Sequence, residues 1–426
     1  MEGLGRTLGG RLAKGLKILW VNDYAYPLGG AETYALQVAE GLKSRGHELR
    51  WLTSQSRGGG WLSEVSRSVS PFHQDFFAAG LTGGSRIRRG LQQWRNPSAQ
   101  RAAFHAVKTF SPGVIHLHSF LGKLSPSILT VFKKIPTVAT LHTYKAICPK
   151  GTKQLPDSSA CEQPFAGSCV RAGCLSRLEY THEWLKRRCS GSAWSGIDLA
   201  LAPSRYLQQV FRREVSEVEI RHLPYGTDFS CRRRSKKNGR GIVLYAGRLT
   251  EIKGVDTLIR AFATVLCALP WAQLIIAGDG PQASVLRQLA GDLGIYRSVS
   301  FLGQLDAASL VEWHEKADVV VVPSRWPENS SLSLIEALAL GSAVIATEVG
   351  GSSELLQGGR AGKLVASGDV EALALAMKEI LSNETLRREL EIAAQASART
   401  YELPTHLDHL EKIYLELTLG TEPTER

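Results

Sequence analysis

The feature that most constrains the fold is a repeated unit, in which a short apolar run ends at a turn and an amphipathic helix follows. The first copy is "KILWVN" (17–22), followed by "GGAETYALQVAEGLKSRGHEL" (29–49). In the second stretch apolar residues recur at near-helical spacing, and Gly46 is a suitable stop signal. The unit therefore predicts a strand, a glycine turn and a helix.

Three further apolar runs of this half are predicted to be buried strands of a parallel sheet, because polar residues or histidines mark their ends. They are "GVIHLHS" (113–119), "PTVATLHT" (136–143) and "IDLALAPS" (197–204). Ligands of open parallel sheets bind at the carboxyl ends of the strands. The residues expected at those ends are Gly29, Gly30, His118, His142 and Ser204.

A strongly basic segment, "CRRRSKKNGR" (231–240), interrupts the pattern and is predicted to be a linker or an exposed loop. The same order of elements restarts with "GIVLYAGR" (241–248) as a strand and "VDTLIRAFATVL" (255–266) as a helix. It continues through "AQLIIAGDG", "QASVLRQLAGDL", "VSFLGQ" and "ADVVVVPS". We therefore expect two Rossmann-like α/β domains whose strand ends face each other across a cleft.

These patterns predict five consecutive parts of the chain. They are a disordered lead at 1–16, an N-terminal domain at 17–228, a basic linker at 229–240, a C-terminal domain at 241–395, and a final helix with a tail at 396–426. The last part contains "HLDHLEKIYLEL", whose apolar residues share one face of an amphipathic helix.

The composition is that of a soluble globular protein. The 426 residues are 43% hydrophobic and 21% charged, and no apolar run approaches the roughly 18 residues that a transmembrane helix needs. The first 16 residues lack the apolar core of a signal peptide, so we expect a cytoplasmic protein.

Charge is divided unevenly along the chain. Residues 1–240 hold 36 Lys and Arg against 16 Asp and Glu, a net charge of +20, whereas the remainder holds 15 against 24, a net charge of −9. A basic half of this kind faces nucleic acid, an anionic bilayer surface or an acidic substrate, or is simply solvated. No zinc-finger, homeodomain or RNA-recognition signature accompanies it, which argues against nucleic acid as a partner.

Five of the seven cysteines fall within one stretch of the sequence. They are Cys148, Cys161, Cys169, Cys174 and Cys189. Their spacing does not form the paired C-x-x-C of a typical zinc site. Reduced thiols are the favoured interpretation in a cytoplasmic protein, and a structural zinc site is the alternative.

Two cationic residues are candidates for a ligand-binding site in the second half of the chain. Arg248 follows a predicted strand and Lys253 precedes a predicted helix, which suits a diphosphate, although two surface cations would look alike. "GDGP" (278–281) is a strand-end glycine turn without the G-x-G-x-x-G spacing of a dinucleotide site. "GGAE" (29–32) allows close approach of backbone to a ligand, or is an ordinary turn.

Histidines end two of the predicted strands. His142 closes "TVATLH", where it is either a ligand contact or a packed structural residue. His116 and His118 alternate with Leu117 in "IHLHS", and we expect only one of them to face a given side of the sheet.

The stretch "PENSSLSLIEALALG" (327–341) places two glutamates in a largely apolar run, where an unpaired carboxylate is costly. Eight positions at about 100° each end about 80° beyond two full turns, so Glu328 and Glu336 do not stack on one helical face. With Ser330 or Ser331 as the N-cap, the first lies in a loop and the second in the first two turns. We interpret them as separate readers of sugar and ribose hydroxyls; backbone capping or pairing with a buried cation is the alternative for Glu336.

Together these stretches resemble glycosyltransferase family 4, the group 1 glycosyltransferases. The signature region is "PSRWPENSSLSLIEALALGSAVIATEVGGSSELL" (323–356). Other blocks follow the order of that family: "GGAETYALQVAEGL", "LHTYKAICP", "APSRYL", "LPYGTDF", "YAGRLTEIKGVDTLIRAF", "IIAGDGP" and "VSFLGQL". The resemblance covers residues 17 to about 380.

The resemblance implies a GT-B fold, with an N-terminal acceptor domain, a C-terminal nucleotide-sugar domain and a final helix that crosses back to the first. It also implies a retaining enzyme that needs no metal and no cofactor. Matching motif positions give catalytic roles to Glu328, His142, Arg248 and Lys253. The residues implied to line the donor site are Gly29, Gly30, Gly247, Arg248, Lys253, Gly278, Gly280, Glu328, Asn329, Ser330, Ser331, Leu332 and Glu336.

Within that site the resemblance gives each group a role. Arg248 and Lys253 would hold the diphosphate, and Gly30 would lie under the phosphates. Glu336 would bind the ribose, and Glu328 and His142 would contact the transferred sugar.

The implied function is sugar transfer from a nucleoside-diphosphate sugar to a glycan or lipid-linked acceptor, in envelope or exopolysaccharide biosynthesis at the inner face of the cytoplasmic membrane. The alternatives are a sugar-nucleotide epimerase or phosphorylase on the same scaffold, and a non-catalytic sensor or scaffold. The chain departs from the family pattern at Asn329–Ser331, where an aromatic residue and a glycine are common, and in its cysteine-rich insert, which lacks C-x-x-C.

Overall fold

The computed structural model describes residues 15–24, 29–55, 76–80, 95–157, 159–189, 194, 196–229 and 241–420. The strands are β1 (Lys17–Val21), β2 (Glu48–Gln55), β3 (Phe76–Gly80), β4 (Val114–Leu117), β5 (Thr137–Thr140), β6 (Leu199–Ala202), β7 (Glu219–His222), β8 (Ile242–Ala246), β9 (Gln273–Ala277), β10 (Val299–Gly303), β11 (Val319–Val322), β12 (Val344–Thr347) and β13 (Lys363–Val365). The helices are α1 (Gly30–Ser44), α2 (Pro97–Phe110), α3 (Leu129–Phe132), α4 (Ser168–Arg171), α5 (Arg177–Cys189), α6 (Arg205–Arg212), α7 (Val255–Ala268), α8 (Ala283–Asp292), α9 (Ala307–Lys316), α10 (Leu332–Ala339), α11 (Ser352–Leu355), α12 (Val370–Ser382), α13 (Glu384–Ala398) and α14 (Leu403–Leu419).

Two parallel sheets organise the chain. The first has seven strands in the order β3-β2-β1-β4-β5-β6-β7, and the second has six in the order β10-β9-β8-β11-β12-β13. Both contain the 3-2-1-4-5-6 arrangement of a Rossmann sheet, whose order reverses beside the first strand. The prediction of two Rossmann-like domains is confirmed. Residues 230–240 of the predicted linker (229–240) and residues 1–14 of the predicted lead (1–16) lie outside the described residues, so those boundaries stay predictions.

Apolar runs form these strands because helices cover both faces of a parallel sheet, which leaves no polar side. All four residues of β11, Val319–Val322, are buried, as are all of β5 and β8. The strand ends lead into glycine turns that only a small residue fits. A Cβ on Gly278, where φ is +142°, would lie 1.9 Å from the carbonyl oxygen of Gly247. The loops after β8 and β9 therefore pack directly on each other.

The final helix α14 packs on the first domain although it follows the second in sequence. A Cβ on Gly41 of α1 would lie 2.6 Å from Leu407 Cδ1. The Tyr34 hydroxyl of α1 is 2.8 Å from His406 Nε2, and the Tyr414 hydroxyl is 2.5 Å from His116 Nδ1. The implied crossing of the last helix back to the N-terminal domain is confirmed.

The cysteine-rich insert between β5 and β6 contains α4 and α5, which the sequence patterns did not predict. Cys148, Cys161, Cys169 and Cys174 carry free thiols there. Across the described ranges, no group of three or more His, Cys, Asp or Glu is arranged to hold a metal ion. Both interpretations of the cysteine group, reduced thiols and a structural zinc site, stay predictions. None of the helices described above is long and apolar enough to cross a membrane.

Candidate active site

Both halves of the chain contribute residues to one cleft. A Cβ on Gly29 would lie 3.8 Å from Arg248 Nη1, and one on Gly30 would lie 3.3 Å from Leu332 Cδ1. The glycines begin α1 in the first domain, whereas Arg248 follows β8 and Leu332 begins α10 in the second. The structure therefore brings these four predicted site residues together.

Glu328 lies in the loop before α10 and is 3% exposed. Its Oε1 is 2.6 Å from Lys253 Nζ and accepts the hydroxyl of Ser324 at 2.5 Å. Burial of a carboxylate is tolerated here because a cation and a hydroxyl compensate it. The sequence predicted separate contacts for the two charged residues; the structure joins them in one ion pair.

Ser324 is a residue that the motif interpretation missed. It follows β11, and its carbonyl oxygen accepts the Thr347 hydroxyl at 2.5 Å. The signal was present, since a polar residue ends an apolar strand here as Ser204 does in the first domain. Its contact with Glu328, four residues later, depends on the bend of the intervening loop and is not visible from spacing.

The loop that carries Glu328 is clamped by a second glycine pair. The amide N–H of Gly351 donates to the carbonyl oxygen of Glu328 at 2.7 Å. A Cβ on Gly350, where φ is +57°, would lie 2.2 Å from the same oxygen. The close approach therefore requires glycine, and "EVGG" acts as the support of the Glu328 loop.

The entrance of α10 presents polar groups to the cleft. Asn329 Nδ2 donates to the carbonyl oxygen of His142 at 2.6 Å. Its Oδ1 and the Ser330 hydroxyl are buried with no hydrogen-bond partner in the described part of the protein. Ser331 occupies the N-cap position, as predicted, but its hydroxyl contacts Ser333 and does not cap the backbone. The N–H groups of the first turn thus form an anion-favouring end.

Glu336 lies in the second turn of α10, as predicted. It is half-buried, and burial raises its pKa to about 7. Within the described ranges no hydrogen bond or ion pair to its carboxylate is found. Neither capping nor pairing with a buried cation, the structural alternatives for this residue, is observed there.

Arg248 is exposed at the end of β8, and its carbonyl oxygen accepts the Tyr245 hydroxyl at 2.8 Å. Burial raises the pKa of Glu32 in the facing "GGAE" turn, and the charge of Arg248 partly offsets that effect. Gly247, Gly278 and Gly280 lie beside it, where they pack the two strand-end loops together: a Cβ on Gly280 would meet the carbonyl oxygen of Leu249 at 2.4 Å.

His142 belongs to a buried network of rings. Its Nδ1 is 2.6 Å from the Tyr225 hydroxyl and its Nε2 is 2.8 Å from His118 Nδ1. Burial lowers the pKa of His142 to about 3, so the imidazole is neutral. Both ring nitrogens are therefore occupied, and a contact with a ligand through either one requires that a hydrogen bond be exchanged.

His118 is the polar end of this network. Its Nε2 is buried and has no hydrogen-bond partner among the described residues. The ring lines a cavity of about 230 Å³ in the first domain, beside Asp23, Glu32 and Lys145. The expectation that only one of His116 and His118 would face a given side of the sheet is wrong. Residues two apart in a strand share a face, and the two rings stack with their centroids 4.3 Å apart. His116 bonds to Tyr414 and Thr140, whereas His118 lines the cavity.

Hydrogen bonds across the cleft hold the domains together. The Tyr144 hydroxyl donates to the carbonyl oxygen of Pro327 at 2.9 Å, next to Glu328. The backbone N–H of Arg205 donates to Glu354 Oε2 at 2.7 Å. Tyr144 of the first domain therefore helps to position the loop that carries Glu328.

Comparison with known proteins identifies the family of this chain. The model of Glycosyl transferases group 1 matches residues 228–397, and that of Glycosyltransferase Family 4 matches residues 28–230. A phosphatidyl-myo-inositol mannosyltransferase of Mycobacterium leprae is 33% identical over 411 residues, which cover 94% of this chain and 96% of that protein. The chain belongs to the group 1 glycosyltransferases of family 4.

Other relatives of this glycosyltransferase are more distant. A glycogen synthase of Mycobacterium tuberculosis is 27% identical over 320 residues, which are 74% of this chain and 71% of that one. Sucrose-phosphate synthase from Thermosynechococcus elongatus superimposes with a TM-score of 0.72 at 22% identity, over 95% of this chain and 100% of the other. Anabaena HepE in complex with UDP-glucose gives 0.66 at 19% identity, over 94% and 100%. The glycosyltransferase therefore has the implied GT-B fold.

Proposed function

We propose that this glycosyltransferase moves a sugar from a nucleoside-diphosphate sugar to a glycan or lipid-linked acceptor, with retention of anomeric configuration and without a metal ion. The observation that carries the proposal is the buried Glu328 carboxylate, paired with Lys253 beside the open N-terminus of α10. A carboxylate, a cation and a helix N-terminus in one place match a ligand that joins sugar hydroxyls to phosphate.

Arg248 and Lys253 would bind the diphosphate. An ammonium group has three N–H donors, so Lys253 keeps donors for phosphate while it holds Glu328. Negative charge grows on the departing diphosphate during transfer, and preorganised cations there lower the barrier. These two side chains would supply the charge that a metal ion supplies in other transferases.

The proposed reaction breaks the bond between the anomeric carbon and the diphosphate oxygen, and that oxygen takes the electron pair. The acceptor hydroxyl attacks the same face of the sugar, and its proton passes to the departing phosphate oxygen. Glu328 is poorly suited to act as a nucleophile on the sugar, because Lys253 and Ser324 already hold its Oε1. It would instead accept hydrogen bonds from the donor sugar, while Glu336 would accept those of the ribose.

A lipid-linked acceptor in envelope or exopolysaccharide biosynthesis is supported by two observations. The Mycobacterium leprae relative has the name phosphatidyl-myo-inositol mannosyltransferase, which contains an inositol lipid. Residues 1–240 also carry a net charge of +20, which attracts anionic lipid or a lipid diphosphate. Such an acceptor would enter the cavity lined by Asp23 and His118.

The alternatives are less well supported. The relatives reported above carry transferase or synthase names, which favours transfer over epimerisation or phosphorolysis. A sensor or scaffold would not require that Lys253, Glu328 and Ser324 form a connected site, whereas a transferase uses each of these groups.

A thermal-shift screen with uridine, guanosine and adenosine diphosphates and their sugars tests the donor class. A ligand at about 100 times its dissociation constant stabilises the fold by about 2.7 kcal/mol. The nucleotide that stabilises is then supplied as its radiolabelled sugars, with membrane lipid extract as acceptor. We expect label in the lipid fraction; neither transfer nor donor hydrolysis with any common donor would reject the proposal.

A further inference from the structure

Helix α5 in the cysteine-rich insert has an exposed face of unusual composition. Leu178 is 84% exposed, Trp184 is 44% exposed and Leu185 is 39% exposed. At about 100° per residue these three side chains fall within one third of the helix circumference. Arg177 and Arg188 lie on the same face and are also exposed, and the Arg188 guanidinium is 5.7 Å from the Trp184 ring centroid.

The opposite face of α5 packs on the protein. The ring centroids of Tyr180 and Phe165 are 5.2 Å apart, and the Arg187 guanidinium lies 4.3 Å from the centroid of the Phe165 ring. Glu183 pairs there with Lys186 at 2.7 Å. Helix α5 therefore contacts the protein through this opposite face, and the apolar residues of its outer face are left exposed.

Acidic groups are absent from the outer face of α5. Its two carboxylates are Glu179 and Glu183, and the second is on the inner side. At about 100° per residue Glu179 lies about 40° from Glu183 and away from the outer face. It accepts the backbone N–H of Ser176 at 2.8 Å, while the Ser176 hydroxyl accepts the N–H of Glu179. This reciprocal capping occupies the Glu179 carboxylate. The outer face thus presents a Trp, two Leu and Thr181 between arginines, a composition seen in helices that lie at anionic membrane surfaces.

The position of α5 relates this face to the acceptor cavity. Ala146, which precedes α4 and α5, lines the cavity. Trp194, which follows α5 in the sequence, lines the same cavity. Only five residues separate Arg188 from Trp194. A surface bound to α5 is thus held near the part of the cleft that would receive the acceptor.

We propose that the outer face of α5, formed by Arg177, Leu178, Trp184, Leu185 and Arg188, inserts at the surface of an anionic bilayer and holds the acceptor cavity against it. The arginines contact lipid phosphates, and Trp184 and the two leucines enter the headgroup region. The inference rests on the proposed function for the identity of the acceptor, whereas the membrane contact itself needs no donor.

Cosedimentation of the full-length protein with phosphatidylcholine vesicles, with and without 30% phosphatidylglycerol, tests the contact. The wild type should prefer the anionic vesicles by about tenfold or more, because each cation near the surface contributes about 1 kcal/mol. The double variants Trp184→Ser/Leu185→Ser and Arg177→Glu/Arg188→Glu should each lose about tenfold or more of that binding. The matched control is Lys133→Glu/Lys134→Glu, which reverses two exposed charges of the same domain and should keep most of it.

Fluorescence quenching by brominated lipids locates the contact. The Trp184→Phe variant keeps an aromatic ring, so it should bind the vesicles while losing part of the quenching seen in the wild type. Equal loss of binding in the Lys133/Lys134 control and the arginine variant would overturn the proposal in favour of unspecific attraction. A wild-type dimer without vesicles that Leu178→Ser dissociates would overturn it in favour of a protein interface.

Donor hydrolysis in solution separates this proposal from the proposed function. All five variants should fold, as judged by circular dichroism, and should hydrolyse the donor at the wild-type rate without vesicles. Vesicle binding without any donor turnover would reject the transferase proposal alone. Donor turnover with wild-type vesicle binding in both α5 double variants would reject the membrane face alone.

Discussion

The ammonium group of Lys253 lies 2.6 Å from Oε1 of Glu328. The two residues come from different segments of the second domain: Lys253 ends the turn Glu251–Lys253, and Glu328 precedes α10. A cation proposed to bind phosphate and a carboxylate proposed to bind sugar are therefore one electrostatic unit. Changing either residue alters the charge that the other experiences.

Replacement of Lys253 by Met should lower kcat by about 10² to 10³, because one preorganised cation is removed from the diphosphate. It should also lower the free energy of unfolding by about 1 to 3 kcal/mol, since the buried Glu328 carboxylate keeps only Ser324 as a partner. Steady-state kinetics and urea unfolding measure the two effects. The matched control is Lys316→Met, whose ammonium lies 3.5 Å from Glu312 at the surface and should change neither quantity. Wild-type kcat in Lys253→Met would contradict the role in catalysis.

Replacement of Gly350 by Ala should displace the Glu328 loop. The new Cβ would lie 2.2 Å from the Glu328 carbonyl oxygen at a φ of +57°, so we expect about 2 kcal/mol or more of destabilisation together with reduced kcat. Gly358→Ala is the control, since its φ of +66° is similar but no atom lies within 4 Å of the added carbon. Backbone strain alone would therefore act there, at about 1 kcal/mol. Equal loss of stability in both variants would show that the contact with Glu328 is unimportant.

The pH dependence of stability should reveal Glu336. Burial raises its pKa from the ordinary 4.5 to about 7, so between these values the folded protein retains a proton that the unfolded chain has lost. The stability that Glu336 contributes should therefore fall as the pH rises from 4.5 to 7 and stay level above 7. In Glu336→Gln this part of the dependence should vanish, which thermal unfolding at several pH values would detect. Parallel pH profiles for the two proteins would contradict the raised pKa.

The same pair of proteins tests the contact with ribose. An ionised Glu336 accepts hydroxyl hydrogen bonds better than a protonated one, so the affinity ratio of wild type to Glu336→Gln for the bound nucleotide should increase from pH 6 to pH 8. The titration of the nucleotide cancels in this ratio. Calorimetry measures both affinities, and a constant ratio would argue against a role of the carboxylate in donor binding.

Two neighbouring histidines should respond differently to substitution. His118→Phe removes the buried Nε2, which has no partner among the described residues, together with the bond of Nδ1 to His142, so it should raise the KM for acceptor by about tenfold with a smaller effect on that for donor. His116→Phe removes the bonds to Tyr414 and Thr140, so it should lower stability by about 1 to 3 kcal/mol with a smaller effect on either KM. Acceptor and donor kinetics with urea unfolding distinguish the two. An unchanged acceptor KM in His118→Phe would contradict its place in the acceptor cavity.

Much of this architecture was predictable because local and long-range requirements coincide. The apolar runs that became β1, β4, β5, β6, β8, β9 and β11 are buried on both sides, so their composition alone identifies them. The loop position of Glu328 and the helical position of Glu336 followed from turn arithmetic and the serines before α10.

Other features depend on contacts between distant parts of the chain. The exposed helix α5 carries few apolar residues at core spacing, so periodicity did not find it. The ion pair of Lys253 with Glu328 and the hydrogen bond from Asn329 to the carbonyl oxygen of His142 form only in the tertiary fold. His142 was predicted to contact the transferred sugar, and its two occupied nitrogens became apparent only from the folded network.

The anomeric configuration of the first product, measured in the presence of a chelator, tests the central proposal most directly. With the sugar nucleotide that the enzyme accepts and excess EDTA, proton NMR of the early product reports the coupling constant of the anomeric proton. The account predicts that the product keeps the configuration of the donor and that EDTA leaves the rate unchanged. An inverted product, or a rate that EDTA abolishes and a divalent cation restores, would contradict it.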